Sequence, residues 1–309
     1  MRRTDMRDCE VGHLPFTLWP AGPLKLTPVR LLVAVFAGLL CCGFYDGARA
    51  SAVLGADTAG MLAFGGLDRT YQLHVPGGVD HPAGLVINLH GAGATGATQA
   101  AATNYNAVAD QYGFVVAYPD GVDMSWADGR GASVPDRQGV DDVGFLVTLI
   151  DRLSRDYGVP PGRVFVTGMS AGAFMANRLA CDRADVVAAI APVSGTLGAG
   201  TRCTPSRPVS VLEIHGTSDP VVPYAGGGMV GRGGPSDIEP AETMVSGWRN
   251  VDGCPGAPVE DVGGGMHRFT SRGCADGTEV VLVRIDGGRH VWPGDASHDS
   301  AQFFAAHGR

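Results

Sequence analysis

The sequence predicts an α/β fold, a mostly parallel central sheet with helices on both faces. Three observations carry this prediction. The chain has 309 residues, 45% hydrophobic and 17% charged, ample for one large domain with a sizeable core. Several apolar segments are nearly continuous, the pattern of strands buried on both faces. These segments alternate along the chain with helical stretches.

The N-terminal part reads as a targeting segment. Arg30 precedes an apolar run from Leu31 to Leu40 that continues through Cys41 and Cys42, and Ala48-Arg49-Ala50 has the small-x-small pattern of a signal-peptidase site. The run is shorter than the about 20 residues that span a bilayer comfortably. The expected organisation is a signal segment over residues 1–50 and a single domain over 51–309. A membrane anchor, or a lipid on Cys41 or Cys42, is the alternative, although bulky Leu39 and Leu40 stand where a lipoprotein signal wants small residues.

From residue 51 onward the elements follow in order. Arg69 to Val75 alternates Tyr71, Leu73 and Val75 with polar neighbours, a half-buried strand. Gly84 to His90 and Gly113 to Tyr118 are continuous apolar strands. From Asp141 to Tyr157, Val143, Leu146, Val147, Ile150 and Leu153 recur at helical steps, with Asp141 or Asp142 placed to cap the helix. Then come a strand at Arg163–Thr167, a helix from Ala171, and strands at Val186–Ala191, Val209–Ile214 and Val280–Ile285. The 47 glycines and 20 prolines are dispersed, which implies many tight turns.

Composition excludes several functions. The formal charge is −8, and no basic cluster with interleaved aromatics suggests nucleic acid. There is neither a Gly-rich phosphate loop ending in Lys-Ser/Thr nor a His-Glu-x-x-His motif, so no cofactor and no metal are expected. Seven cysteines is an awkward number for an exported chain. Cleavage after Ala50 removes Cys9, Cys41 and Cys42 and leaves Cys181, Cys203, Cys254 and Cys274. Four cysteines allow three pairings. The sequence-local one, Cys181–Cys203 with Cys254–Cys274, is preferred, each bridge contributing about 3 kcal/mol in the chain-entropy account. The same cleavage would leave a net charge of −10.

Parallel sheets place their chemistry at the carboxyl ends of the strands. Gly168-Met169-Ser170-Ala171-Gly172 lies where the strand Val164–Thr167 meets a helix. A bare Gly-x-Ser-x-Gly is weak evidence in so glycine-rich a chain. At a strand-to-helix junction it fits a nucleophile elbow, a sharp turn that exposes the serine hydroxyl. Strand and helix pass so closely there that side chains at 168 and 172 would clash. A serine nucleophile needs a base, and the base needs an orienting acid, in the chain order Ser, acid, His. Asp219 follows the strand Val209–Ile214 in His215-Gly216-Thr217-Ser218-Asp219-Pro220, and His290 follows the last strand in Asp286-Gly287-Gly288-Arg289-His290. His90 comes too early in the order and reads as structural, holding its loop. His215 reads as a packed, satisfied histidine. The oxyanion donors should be the N–H of Ala171 and one from His90-Gly91-Ala92-Gly93, with Ala92 preferred and Gly91 in reserve. Trp292 and Trp126 are the candidate walls of a substrate pocket; Trp248 reads as packing beside Cys254.

His90-Gly91-Ala92-Gly93, the Ser170 elbow, His215 to Pro220 and Gly287-Gly288-Arg289-His290-Val291-Trp292-Pro293-Gly294 together resemble the secreted polyhydroxybutyrate depolymerase-type esterases. That family is grouped with the feruloyl and acetylxylan esterases of carbohydrate esterase family 1. The resemblance runs from about Arg69 to the C-terminus. It implies an α/β-hydrolase fold, the same triad of Ser170, Asp219 and His290, and hydrolysis of short-chain hydroxyalkanoate oligomer esters. Only 19 residues follow His290, so no separate polymer-binding module is expected, which favours soluble esters over crystalline polymer. The alternatives are a feruloyl or acetylxylan esterase, an acyltransferase using the same triad, and a non-catalytic binding protein on this scaffold. The partner expected is a small or oligomeric ester, with no nucleic acid and no membrane after signal cleavage.

Overall fold

Along Gly84–Leu89 every residue is buried, because the side chains of a strand leave alternately to two covered faces. The computed structural model describes residues 55–309. The expectations for residues 1–50, including Cys9, Cys41, Cys42 and the Ala50 site, lie outside those residues.

Strands β1 (Ala56–Phe64) and β2 (Leu67–Val75) form a hairpin closed by Gly65 and Gly66, whose φ values of +60° and +78° suit a two-residue turn that glycine enters freely. Then follow β3 (Gly84–Leu89), α1 (Gly96–Thr103), α2 (Tyr105–Tyr112), β4 (Phe114–Pro119), α3 (Val134–Gln138) and α4 (Asp142–Tyr157). The chain continues through β5 (Val164–Met169), α5 (Ala171–Asp182), β6 (Ala189–Val193) and β7 (Ser210–Gly216). Next come a separate hairpin, β8 (Gly227–Gly231) and β9 (Gly234–Ile238), and α6 (Ala241–Val251). Strands β10 (Val259–Gly263), β11 (Met266–Ser271) and β12 (Val280–Ile285) precede α7 (Ala296–Ala306).

Ten strands form one sheet in the order β1-β2-β4-β3-β5-β6-β7-β12-β11-β10. The six from β4 to β12 are mutually parallel, and the outer pairs at each side are antiparallel. Two cores result, one per face. Leu85, Ile87 and Val166 meet α4, α5 and α6 through Phe145, Met175 and Trp248. Val86, Phe165 and Leu212 meet α2 and α7 through Tyr105 and Phe304. The Phe165 ring stacks on Phe304 at 4.9 Å and meets Phe114 edge-on at 5.6 Å. Burial of a side chain of that size contributes about 1.5–3 kcal/mol.

The expected strands and helices are present, with one boundary moved. The strand read as Val186–Ala191 is Ala189–Val193. The N–H groups of Val186 and Val187 turn back to the Arg183 carbonyl, so the apolar run begins before the strand does. Strand β10 escapes sequence reading because all five of its residues are exposed and carry no hydrophobic period. Asp141 caps α4 by accepting from Gly144 N–H at 2.7 Å. Asp142 does something else: buried, it accepts from the Ala127 N–H and pairs with Arg69 of β2, both at 2.7 Å. Cys181 is bridged to Cys203, and Cys254 to Cys274. Among the described residues no helix is long and apolar enough to cross a membrane.

Candidate active site

Ser170 sits between β5 and α5 with φ +56° and ψ −118°. A non-glycine residue there carries of the order of 1–3 kcal/mol of strain, tolerated when the surroundings hold it. They do: its N–H donates to the Val193 carbonyl at 2.9 Å, and its own carbonyl accepts from Ala173 and Phe174. The glycines on either side permit the turn. A Cβ on Gly168 would lie 2.7 Å from the Leu89 carbonyl oxygen, and one on Gly172 would strike that same carbonyl. The helix therefore starts directly against the end of β3.

The candidate acid and base, Asp219 and His290, follow adjacent parallel strands, β7 and β12. The loops that follow them are zipped together. Thr217 N–H donates to the Ile285 carbonyl, Ser218 N–H to the Gly288 carbonyl, and Gly287 N–H to the Thr217 hydroxyl, each at 2.9 Å. Gly216 and Gly288 make this approach possible, since a Cβ on either would press into the other's backbone. Asp219 Oδ1 accepts from the N–H groups of Val221 and Val222 at 2.8 and 2.9 Å. Its Oδ2 accepts from His290 Nδ1 at 2.7 Å. Burial opposes the charge of Asp219, yet the neighbouring His215 edge and the hydrogen bonds from His290 and the two amides hold its carboxyl well below the usual range. An ionised acceptor requires the proton on His290 Nδ1, which leaves Nε2 as the basic nitrogen.

Ser170, His290, Ala92 and Ala171 line one cavity of about 270 Å³. Ser170 and the His290 ring are not hydrogen-bonded to each other, a link often loose before substrate binds. In the loop after β3, Gly93 N–H is bound to the Met124 carbonyl and Ala94 N–H to the Gly91 carbonyl. Gly91 lies against Ser170, its Cβ position 3.5 Å from the serine Cβ. His90 holds this loop. It is fully buried; its Nδ1–H donates to Gly91 O at 2.8 Å, and its Nε2 accepts from Gly121 N–H at 2.9 Å. Burial keeps its pKa low, consistent with a neutral ring.

Two sequence expectations are corrected. Trp126 is not a pocket wall: it is fully buried, its indole N–H donates to the His90 carbonyl at 2.9 Å, and its ring packs 4.8 Å from the His90 ring. Trp292 is half-buried and pinned by its indole N–H to Ser297 of α7 at 3.0 Å, beside the core on that face. Neither lines the Ser170 cavity. Trp248 is buried, its N–H bound to Asn177. The cavity wall comes instead from Arg130 and from Met229, Val230 and Arg232 of the β8–β9 hairpin. The sequence signal was there in the glycines that bracket Met229-Val230 and close a hairpin turn. His215 is buried and satisfied as expected, but its partners are Glu213 at 3.1 Å and the Val222 carbonyl at 2.9 Å.

The profile of the esterase PHB depolymerase family matches residues 69–227. Feruloyl esterase B of Piromyces equi is 32% identical over 219 residues, 69% of this chain, which spans 40% of that relative. Feruloyl esterase C of Emericella nidulans is 29% identical over 240 residues, 73% of this chain and 77% of the relative. Poly(3-hydroxyalkanoate) depolymerase C of Paucimonas lemoignei is 27% identical over 230 residues, 70% and 51% of the two chains. Among solved structures, an acetyl xylan esterase from Aspergillus awamori superposes with a TM-score of 0.60 at 17% identity, covering 81% of this chain and 99% of its own. That likeness shows the fold, which is of the α/β-hydrolase type.

Proposed function

This chain belongs to the esterase PHB depolymerase family of carboxylic-ester hydrolases, and on that premise we propose that it cleaves short hydroxyalkanoate oligomer esters through Ser170, His290 and Asp219. His290 takes the Ser170 proton as Ser170 attacks the ester carbonyl. Asp219 holds the imidazole in the tautomer that makes this possible. The N–H groups of Ala92 and Ala171 receive the developing oxyanion. His290 then protonates the leaving alcohol, and water releases the acyl group by the same route.

The observation that supports this reading most strongly is the strained φ of +56° at Ser170, in one cavity with a histidine whose far nitrogen is bound to a buried carboxylate. Strain without chemistry would cost stability for no return. A cavity of about 270 Å³ suits a short acyl group. Feruloyl or acetylxylan ester hydrolysis is the second reading, favoured by the feruloyl esterases among the relatives. The two disulfides support export to an oxidising compartment, with residues 1–50 as the signal segment and 51–309 as one catalytic domain. The test compares initial rates of residues 51–309 on butyryl, 3-hydroxybutyrate-oligomer and methyl ferulate esters. Ser170→Ala is expected to lose about 10⁴-fold or more in kcat on whichever ester is turned over. Near wild-type turnover by that variant would refute the triad, and the rank order of esters selects between the two substrate readings.

A further inference from the structure

Glu213 is a carboxylate in the middle of β7, fully buried, with Oε2 lacking any partner. Two residues on, and so on the same face, lies buried His215. That face packs against α6, where Val211 shares a core with Met244 and Trp248. Two apolar side chains would fill this space without desolvating charge, and such replacements are often neutral or stabilising. A packing role alone leaves the pair unexplained.

Its connections supply a reason. His215 Nδ1 faces Glu213 Oε1 at 3.1 Å, and its Nε2–H donates to the Val222 carbonyl at 2.9 Å. The N–H of the same Val222 holds Asp219 Oδ1. The His215 Nε2 edge also lies 3.6 Å from Asp219 Oδ2, longer than a hydrogen bond but close for a charge. That oxygen is the one bound to His290 Nδ1. We propose that Glu213 and His215 are positioning residues for Asp219: the pair fixes the Val221–Val222 segment that grips one carboxylate oxygen and sets a positive edge against the other, restraining the basicity of His290.

The inference rests on the triad reading and extends it to a buried chain from Glu213 through His215 and Asp219 to His290. The groups that face His215 agree with it. Glu213 lies on its own strand, and Asp219 and the Val222 carbonyl lie in the loop after it. The Tyr224 ring meets it edge-on at 5.6 Å, with its hydroxyl donating to Glu242 of α6. Arg284 of β12 is its register neighbour. Burial works against a charged His215, but the nearby Asp219 carboxylate and the hydrogen bond to Glu213 raise its pKa. Burial likewise raises Glu213, against the pull of His215.

The experiment is the pH profile of kcat/KM from pH 4.5 to 9.5 on one ester for wild type, His215→Gln and Glu213→Gln, with Tm recorded beside each. Removing the positive edge leaves Asp219 free to stabilise the His290 imidazolium more fully. The acid limb of His215→Gln is therefore expected to move up by about half a unit to one unit. Rate is lost mainly below neutrality, in kcat rather than KM. Glu213→Gln, which still offers His215 a partner, is expected to shift the limb the same way by less. A merely structural pair would lower Tm and leave the limb in place. An unshifted limb in folded His215→Gln overturns the proposal. Should that variant not fold, the near-isosteric Glu213→Gln decides by the same criterion. If wild type shows no turnover that Ser170→Ala abolishes, the triad reading falls and takes this inference with it. If it does and the limbs coincide, this inference alone is lost.

Discussion

Gly216→Ala tests whether the site depends on the two loops meeting backbone to backbone. A Cβ at Gly216 would lie 2.8 Å from Gly288 Cα and nearer still to the Gly288 carbonyl. Ordinary contact begins near 3.4 Å, so the loops must part by about 0.6 Å or more, because interiors are close-packed and absorb little. The obstacle is backbone, which cannot rotate away. Parting the loops stretches the 2.7 Å bond between His290 and Asp219 and turns the imidazole from Ser170. A displacement approaching 1 Å at a catalytic group costs about 10²-fold in rate, or about 2.7 kcal/mol in the barrier. Overpacking costs about 1–3 kcal/mol of stability besides. The assay is kcat/KM on a butyryl ester, measured well below the unfolding temperature, with Gly247→Ala as control. Gly247 sits on the exposed face of α6 with open space at its Cβ position, and the exchange should stabilise the helix by about 0.5–1 kcal/mol and leave the rate alone. A folded Gly216→Ala protein within twofold of wild type would refute the reasoning, since Asp219 and His290 would then be held by something other than this approach.

Two further outcomes follow from other parts of the molecule. The bridge between Cys181 and Cys203 closes a separation of 22 residues, so a Cys181→Ser/Cys203→Ser variant should lose about 3 kcal/mol. At this chain length that lowers Tm by about 6–12 °C; calorimetry showing less than one degree would dismiss the chain-entropy account. Asp219 bears on pH. Its folded pKa is depressed, so its contribution to stability is present above the unfolded value of 3.8 and is lost as pH falls towards the folded value. The Tm advantage of wild type over Asp219→Asn should thus be full at pH 5 and shrink steadily below pH 4. An advantage that stays constant down to pH 2.5 would contradict the depression.

Local chemistry makes much of this protein legible in its sequence. The elbow was readable because its requirements are local: an apolar strand, a serine, two glycines and a helix within seventeen residues, Val164 to Ala180. Asp219 and His290 stood out as candidates because each lies in the loop after an apolar strand, and a parallel sheet gathers such ends along one edge. His90 as a loop holder followed from its early place in the order. The aromatic residues were not readable. A tryptophan beside a catalytic loop looks the same in sequence whether it faces solvent or core, and Trp126 turned inward because its N–H found the His90 carbonyl. The β8–β9 hairpin that walls the cavity carries weak strand signals, since glycines dominate it and its exposed face is unconstrained.

The sequence by itself therefore determined the class of fold, the identity of the nucleophile, acid and base candidates, and the cysteines available for bridging. Each depends on residue type, order and short-range period, which a linear chain displays. The tertiary structure alone decided which side chains enclose the cavity, that Asp142 pairs with Arg69 some seventy residues away, and that buried Glu213 and His215 lie beside Asp219. Those facts depend on which faces meet across the sheet. Buried polar groups must find partners wherever the fold brings them, and no spacing along the chain announces a partner contributed by another strand.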